Sequence, residues 1–191
     1  ITAGNIQQVI ATAQLDVDGT WLTSTTLTHN NVTGTASPGS FVLDTQAPIA
    51  PAADIAASSD TGSSQTDHIT ADNTPTVVGT GNVGDTITVT LPTGEVLTTV
   101  VASNGSWSVT PTLPLSDGVQ AIKVTATDAA GNTSAPTTLA LTIDTLAPAA
   151  PAADVAAISD TGVSNTDNIT SDNTPSLTGT GTPGDTITVT M

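Results

Sequence analysis

The chain has 191 residues, with 17 acidic side chains against one Lys (Lys123), no Arg, no Cys and a formal net charge of −16. One Lys cannot supply the clustered cations that displace counterions from nucleic acid or that hold an anionic membrane surface, so both partners are excluded. Without Cys there is no disulfide framework, no thiolate nucleophile and no sulfur-ligated metal.

Thr is the commonest residue, and Asp outnumbers Glu sixteen to one, Glu95 being the single Glu. Thr is β-branched and favours strands, whereas Asp is the carboxylate of turns and of calcium loops. This pairing predicts acidic loops on a β scaffold. The opening stretch, Ile1 to Leu15, has no positive region and carries several amides, so it does not read as a signal peptide. No run approaches the roughly 18 apolar residues of a membrane span, and membrane insertion is excluded. Asp16-Val-Asp18-Gly19 resembles the opening of an EF-hand loop, but the Glu that such a loop needs is missing, and a turn between strands is expected.

From residue 44 onward the chain repeats itself. Residues 44–91 align with 144–191 without a gap, 34 of 48 positions being identical. Asp44, Asp54, Asp60, Asp67, Asp72 and Asp85 return as Asp144, Asp154, Asp160, Asp167, Asp172 and Asp185. A period of about 100 residues is the size of a seven-stranded sandwich. The expected organisation is a divergent, shortened C-terminal part of a repeat (1–43), a complete repeat (44–143) and the N-terminal part of the next (144–191). Asp18-Gly-Thr-Trp21 matches Asn104-Gly-Ser-Trp107, although the path from Trp21 to Asp44 is 14 residues shorter than that from Trp107 to Asp144.

Within the complete repeat, apolar alternation and turn signals predict seven strands at 52–58, 75–80, 85–91, 95–102, 106–112, 119–127 and 134–143. Ile87, Val89 and Leu91 point to one side, as do Ile122, Val124 and Ala126, and again Leu139, Leu141 and Ile143. Gly84-Asp85, Asn104-Gly105, Asp117-Gly118 and Ala130-Gly-Asn132 mark turns. The fold class is all-β: tandem immunoglobulin-like β-sandwiches without the usual disulfide.

In antiparallel strands successive loops alternate between the two ends. Segment 59–74 and loop 113–118 then share the downstream end, while loops 81–84 and 128–133 share the upstream end. Asp60, Asp67, Asp72 and Asp117 gather downstream, beside the linker residue Asp144. The upstream end of the next repeat contributes Asp185, with Asp154 a further candidate. Carboxylates about 4 Å apart repel by on the order of 4 kcal/mol at an effective dielectric near 20, and the chain holds almost no cation to offset this. A hard divalent ion is the remedy. Calcium suits best, taking carboxylates, carbonyls, Asn73, Asn132 and water in flexible geometry.

The series Asp144-Thr-Leu-Ala-Pro148, Ser159-Asp-Thr-Gly162, Asp167-Asn-Ile-Thr170, Asp172-Asn-Thr-Pro175 and Gly184-Asp185, with Asp128-Ala-Ala-Gly-Asn132 closing a repeat, resembles the bacterial Ig-like repeats of giant surface adhesins. These are the biofilm-associated type and the large adhesins exported by type I secretion. The resemblance implies an extracellular, cell-surface spacer whose repeats are stiffened by calcium where neighbours meet, with a host-cell surface or biofilm matrix beyond. Carried over by motif, the implied ligands are Asp128, Asp144, Asp160, Asp167, Asp172 and Asp185 with their counterparts. Residues 1–43 lack the Asp-Ala-Ala-Gly-Asn turn, so the junction at Asp44 is expected to bind less well.

Rival readings are weaker. Asp60-Thr-Gly62 and Asp160-Thr-Gly162 spell the aspartic-protease signature, but that dyad follows apolar strands, and here Ser59 and Ser159 precede. His68 becomes Asn168 in the second repeat, so the repeated role does not need imidazole; His29 stands alone. Trp21 and Trp107 read as packing residues rather than as carbohydrate platforms. No base, nucleophile pair or pocket signature points to an enzyme. A module binding a host glycan or protein through its loops would carry residues that its neighbour lacks, yet the overlapping repeats differ mostly by small conservative exchanges.

Overall fold

The computed structural model describes residues 17–24, 26–29, 32–35 and 39–190. Asp16, the first residue of the EF-hand-like opening, lies outside the described residues, as does the Ile1–Leu15 stretch; the ring of His29 is likewise not described. The described residues form strands, turns and no helix. The chain divides into two compact units, residues 1–144 and 145–191.

In the first unit, β1 (Gly19–Thr23), β2 (Thr26–His29), β3 (Val32–Thr35) and β4 (Gly39–Leu43) precede the complete repeat. β2 pairs with β3 and β1 with β4, both antiparallel. The repeat follows as β5 (Ala52–Ile55), β6 (Ile69–Thr70), β7 (Val77–Thr80), β8 (Thr86–Thr90), β9 (Val96–Val100), β10 (Ser106–Val109), β11 (Gly118–Thr127) and β12 (Thr137–Ile143). All seven expected strands are present, and proline trims them. β7 starts after Pro75, β10 stops before Pro111 and β12 starts after Pro136, because Pro cannot donate to a ladder. β6 has no sequence signal of its own; its two residues pair parallel to Thr142 and Ile143.

These strands form two layers, a three-stranded sheet β10-β7-β5 and a five-stranded sheet β6-β12-β11-β8-β9. Alternation decides what lies between them. Ile55, Val77 and Trp107 face inward from the smaller sheet, and Ile87, Val89, Ile122, Val124, Ala126, Leu139, Leu141 and Ile143 from the larger. Burying each large aliphatic side chain stabilises by about 1.5–3 kcal/mol. The Trp107 ring fits because position 79 is Gly: a Cβ there would stand 2.5 Å from the ring and 1.9 Å from the Ala52 carbonyl. Trp107 is thus a core residue, and Trp21 is half-buried with its indole N–H donating to the Val17 carbonyl at 3.3 Å.

The second unit contains β13 (Ala152–Val155) and β14 (Leu177–Thr180), paired in the register of β5 with β7. Thr186–Thr190 has the same sequence as β8 but forms no ladder. Ile187 is 51% exposed, whereas its counterpart Ile87 is at 0%. The covering strands β11 and β12 have no counterpart within residues 145–190.

Ile122 is fully buried at the centre of the larger sheet. Ile122→Ala is expected to lower the unfolding free energy of the first unit by about 2–5 kcal/mol, read by denaturant titration. A loss well under 1 kcal/mol would show that this position is not at the core.

Candidate metal centre

The parity argument places the loops correctly at both ends of the complete repeat. Upstream, Asp44, Asn82, Asp85 and Asp128 line one open cleft of about 450 Å³ together with Gln46–Ile49. Downstream, the Leu115 N–H donates to the Asn73 carbonyl at 2.8 Å, which joins loop 113–118 to segment 59–74.

The upstream cleft is built by short local motifs. In the turn after β11, Asp128 Oδ1 accepts the N–H groups of Ala130 and Asn132, both at 2.9 Å, and Oδ2 accepts the Asn132 side-chain amide at 2.9 Å. That amide also donates to the Asp44 carbonyl at 3.1 Å, tying the turn to the linker. Asp44 Oδ1 accepts the Gln46 N–H at 3.1 Å. Asp18 Oδ1 accepts both the N–H and the hydroxyl of Thr45, at 3.1 and 2.9 Å. Asp85 opens β8, is only 7% exposed, and its Oδ2 has no hydrogen-bond partner. A buried polar atom left without a partner costs about 1–3 kcal/mol. Every donor atom offered here is oxygen, from three carboxylates, an amide and a carbonyl. This chemistry fits a hard cation such as calcium and offers nothing to a soft metal.

Downstream, Asp67 and Asp72 are engaged by their own turns. Asp67 Oδ1 accepts the Ile69 N–H at 3.2 Å, and Asp72 Oδ1 accepts the N–H and hydroxyl of Thr74 at 2.9 and 3.3 Å. Asp60 is 1% exposed; its Oδ2 accepts the His68 N–H at 3.3 Å and its Oδ1 has no partner. Asp117 is exposed just before β11, and the Asp144 N–H donates to the Thr70 carbonyl at 2.9 Å. Asp54 lies on β5 and accepts from the Ile55 N–H and from the His68 ring Nε2, both at 2.8 Å.

The second unit repeats most of this. Asp154 accepts the Val155 N–H, Asp160 the Asn168 N–H, Asp167 the Ile169 N–H and Asp172 the Thr174 N–H, at 2.9, 3.2, 3.1 and 2.9 Å. Asp185 is exposed and lines a cleft with Pro148–Pro151 and Thr182. Among the described residues, no three or more His, Asp or Glu side chains stand close enough to grip a metal by themselves. Neutral oxygens have to complete any such site.

Sequence reasoning missed two features of this geometry. Asp18, expected only to make a turn, reaches the linker at Thr45. His68 and Asn168 adopt positive φ, 59° and 60°, and this is what presents their N–H to Asp60 and Asp160. The signal for the second was Asn168, since Asn is the residue that best tolerates that conformation after Gly.

The Asn132 side chain, with the N–H groups of Asn132, Ala130 and Gly131, holds the Asp128 carboxyl below its ordinary 3.8. A carboxyl depressed on folding contributes stability that is present above about pH 4 and disappears as pH falls through the folded value. Asn132→Ala is expected to raise the Asp128 midpoint toward 3.8 in a carboxyl NMR titration. An unmoved midpoint would remove Asn132 as the cause.

The bacterial Ig-like domain matches residues 46–145 and again residues 147–191. Among solved structures, the tetra-tandem repeat in the extending region of a large adhesion protein is similar at 24% identity over 86% of this chain and 39% of that one, with a TM-score of 0.41. The BSP domain of a biofilm-associated protein shares 22% identity over 69% of this chain and 20% of that one, TM-score 0.36. A Ca²⁺-stabilised adhesin with which an Antarctic bacterium binds ice shares 28% identity over 71% of this chain and 34% of that one, TM-score 0.36. The chain spans about two fifths or less of the length of these three. No protein of curated function matches it in sequence. With the family pattern running twice through most of its length, the chain belongs to the bacterial Ig-like domain family.

Proposed function

We propose that this chain is a stretch of non-catalytic spacer repeats from a bacterial cell-surface adhesin, organised as 1–43, 44–143 and 144–191 and stiffened by calcium where successive repeats meet. The observation that carries the reading is the upstream cleft, in which Asp44, Asp85 and Asp128 face one space and a buried Asp85 oxygen lacks a donor. Asp44 belongs to the linker, so an ion held there ties the linker to the body of its repeat. Two of these three carboxylates recur one period later, as Asp144 and Asp185. Asp60, Asp67, Asp72, Asp117 and Asp154, with Asp160, Asp167 and Asp172, are the further candidate ligands.

The mechanism is linkage. An ion that binds only the folded, aligned junction stabilises it by RT ln(1 + [Ca]/Kd) and removes hinge freedom. Extracellular modules bind calcium with Kd of about 10⁻⁴–10⁻³ M, so at ~10 mM calcium each site contributes about 1.4–2.7 kcal/mol. At the low calcium inside a cell the same chain is hinged, which suits export by a type I route followed by stiffening outside. The proposed partners are calcium and neighbouring repeats, with a host-cell surface or biofilm matrix reached by other parts of the adhesin.

Small-angle scattering of the whole chain tests this. Maximum dimension and profile are expected to change clearly between millimolar calcium and excess EDTA, becoming more extended and better defined with calcium. Superimposable curves would refute the spacer mechanism.

A further inference from the structure

β12, the last strand of the complete repeat, is gripped from both sides just before the chain leaves the repeat. Thr142 pairs with Val119 of β11 and with Ile69 of β6, and Ile143 pairs with Gly118 and with Thr70. The Thr142 N–H donates to the His68 carbonyl at 2.8 Å, and the Asp144 N–H to the Thr70 carbonyl at 2.9 Å. The chain enters the repeat in the smaller sheet, as β5, and the loop after it crosses to the larger sheet as β6. A pull on the two ends of the repeat therefore drags β12 lengthwise past β6 and β11. Hydrogen bonds that lie across the direction of pull share the load and have to yield together, whereas bonds pulled along their own axes open one at a time.

β6 has only two residues, so its grip on β12 is as firm as whatever holds β6 itself. One hydroxyl does this. Thr70 is 1% exposed; its Oγ1 donates to the Ser59 carbonyl at 2.5 Å and accepts the N–H groups of Thr61 at 3.2 Å and Asp72 at 3.0 Å. It thus ties β6 to the chain on both sides of it. The second unit shows that this fastening does not depend on β12. There the loop differs at positions 163, 165, 168 and 171, and Ile169 and Thr170 pair with no strand. Thr170 Oγ1 nevertheless donates to the Ser159 carbonyl and accepts the N–H groups of Thr161 and Asp172 at 3.4 and 3.0 Å. The loop is shaped beforehand, and β12 docks on a jaw that already exists.

We infer that Thr70 is the keystone of a force-bearing clamp, in which β6, pinned by that hydroxyl, and β11 together hold β12 in shear when the ends of the repeat are pulled apart. The clamp draws on backbone groups and one hydroxyl and needs no metal; only the load it meets rests on the spacer reading.

The test is single-molecule force spectroscopy of the full chain in excess EDTA, with paired cysteines as handles, since the chain has no Cys of its own. Gln46→Cys with Leu146→Cys loads the repeat end to end, along β12. Gln46→Cys with Ser103→Cys loads the upstream end alone, where Ile49 and Ala50 share a cleft with Asn104, and leaves β12 unpulled. The chain released identifies the event: about 330–360 Å between residues 46 and 146 and about 190–205 Å between 46 and 103, less the folded separation. The unsubstituted repeat is expected to yield at clearly higher force end to end than through the upstream handles. Thr70→Val is expected to shorten the lifetime at constant force about tenfold end to end and less than twofold through the upstream handles, because forced unfolding follows the unfolding rate along the loaded path. Equal resistance in the two directions, or a Thr70→Val effect that is absent or alike in both, would overturn the inference. The comparison of directions needs no change at Thr70, so it decides the matter even where Thr70→Val does not fold. Failure of the calcium spacer mechanism has a different signature, superimposable scattering curves, and leaves these forces unmoved.

Discussion

A carboxylate surplus with almost no matching cation is the constraint on which the rest of this molecule depends. Sixteen Asp and one Glu share the chain with Lys123 alone. Two general means of living with such a surplus are visible. Many side chains are spent as turn acceptors, as Asp67, Asp72, Asp167 and Asp172 are, each taking a backbone N–H two residues on. Others are placed where they have fewer donors than a carboxylate requires, and Asp60, Asp85 and Asp160 each keep one buried oxygen bare. The first group explains how the loops hold their shape. The second supplies bare oxygens to the ions proposed above.

The scaffold that holds these loops is ordinary sandwich physics. Strict alternation along β8 and β11 sends Ile87, Val89, Ile122, Val124 and Ala126 between the sheets, leaving threonines on the outer side. The segment Thr-Ile-Thr-Val-Thr tests how local that structure is, because it occurs twice. At 86–90 it is a strand between β9 and β11; at 186–190, without those neighbours, it is not. Strand formation here is set by cross-strand partners and burial more than by intrinsic preference.

This difference also explains what could be read in the sequence. The seven strands and the assignment of loops to ends were legible because alternation and turn residues are local signals and parity follows from counting. The short β6 was not, since its pairing with Thr142 and Ile143 is imposed from afar. The direct pairing of β1 with β4 also escaped notice, although Trp21 aligns with Trp107; in the complete repeat the corresponding strands, β10 and β12, lie in different sheets. At the candidate site, residue types were legible and individual roles were not. Nothing in Ser59-Asp60-Thr61 announces that this Asp is buried while Asp67 is exposed, because burial is decided by how the loop folds over Thr70.

If metal answers the charge surplus, folded stability must respond to calcium itself and not merely to ionic strength. Calorimetric unfolding of the chain in calcium chloride against sodium chloride of equal ionic strength addresses this most directly. The unfolding temperature is expected to climb steadily with the logarithm of calcium concentration, well above the sodium series. Coincident curves for the two salts would mean that the acidic loops are merely screened, and the central claim would be wrong.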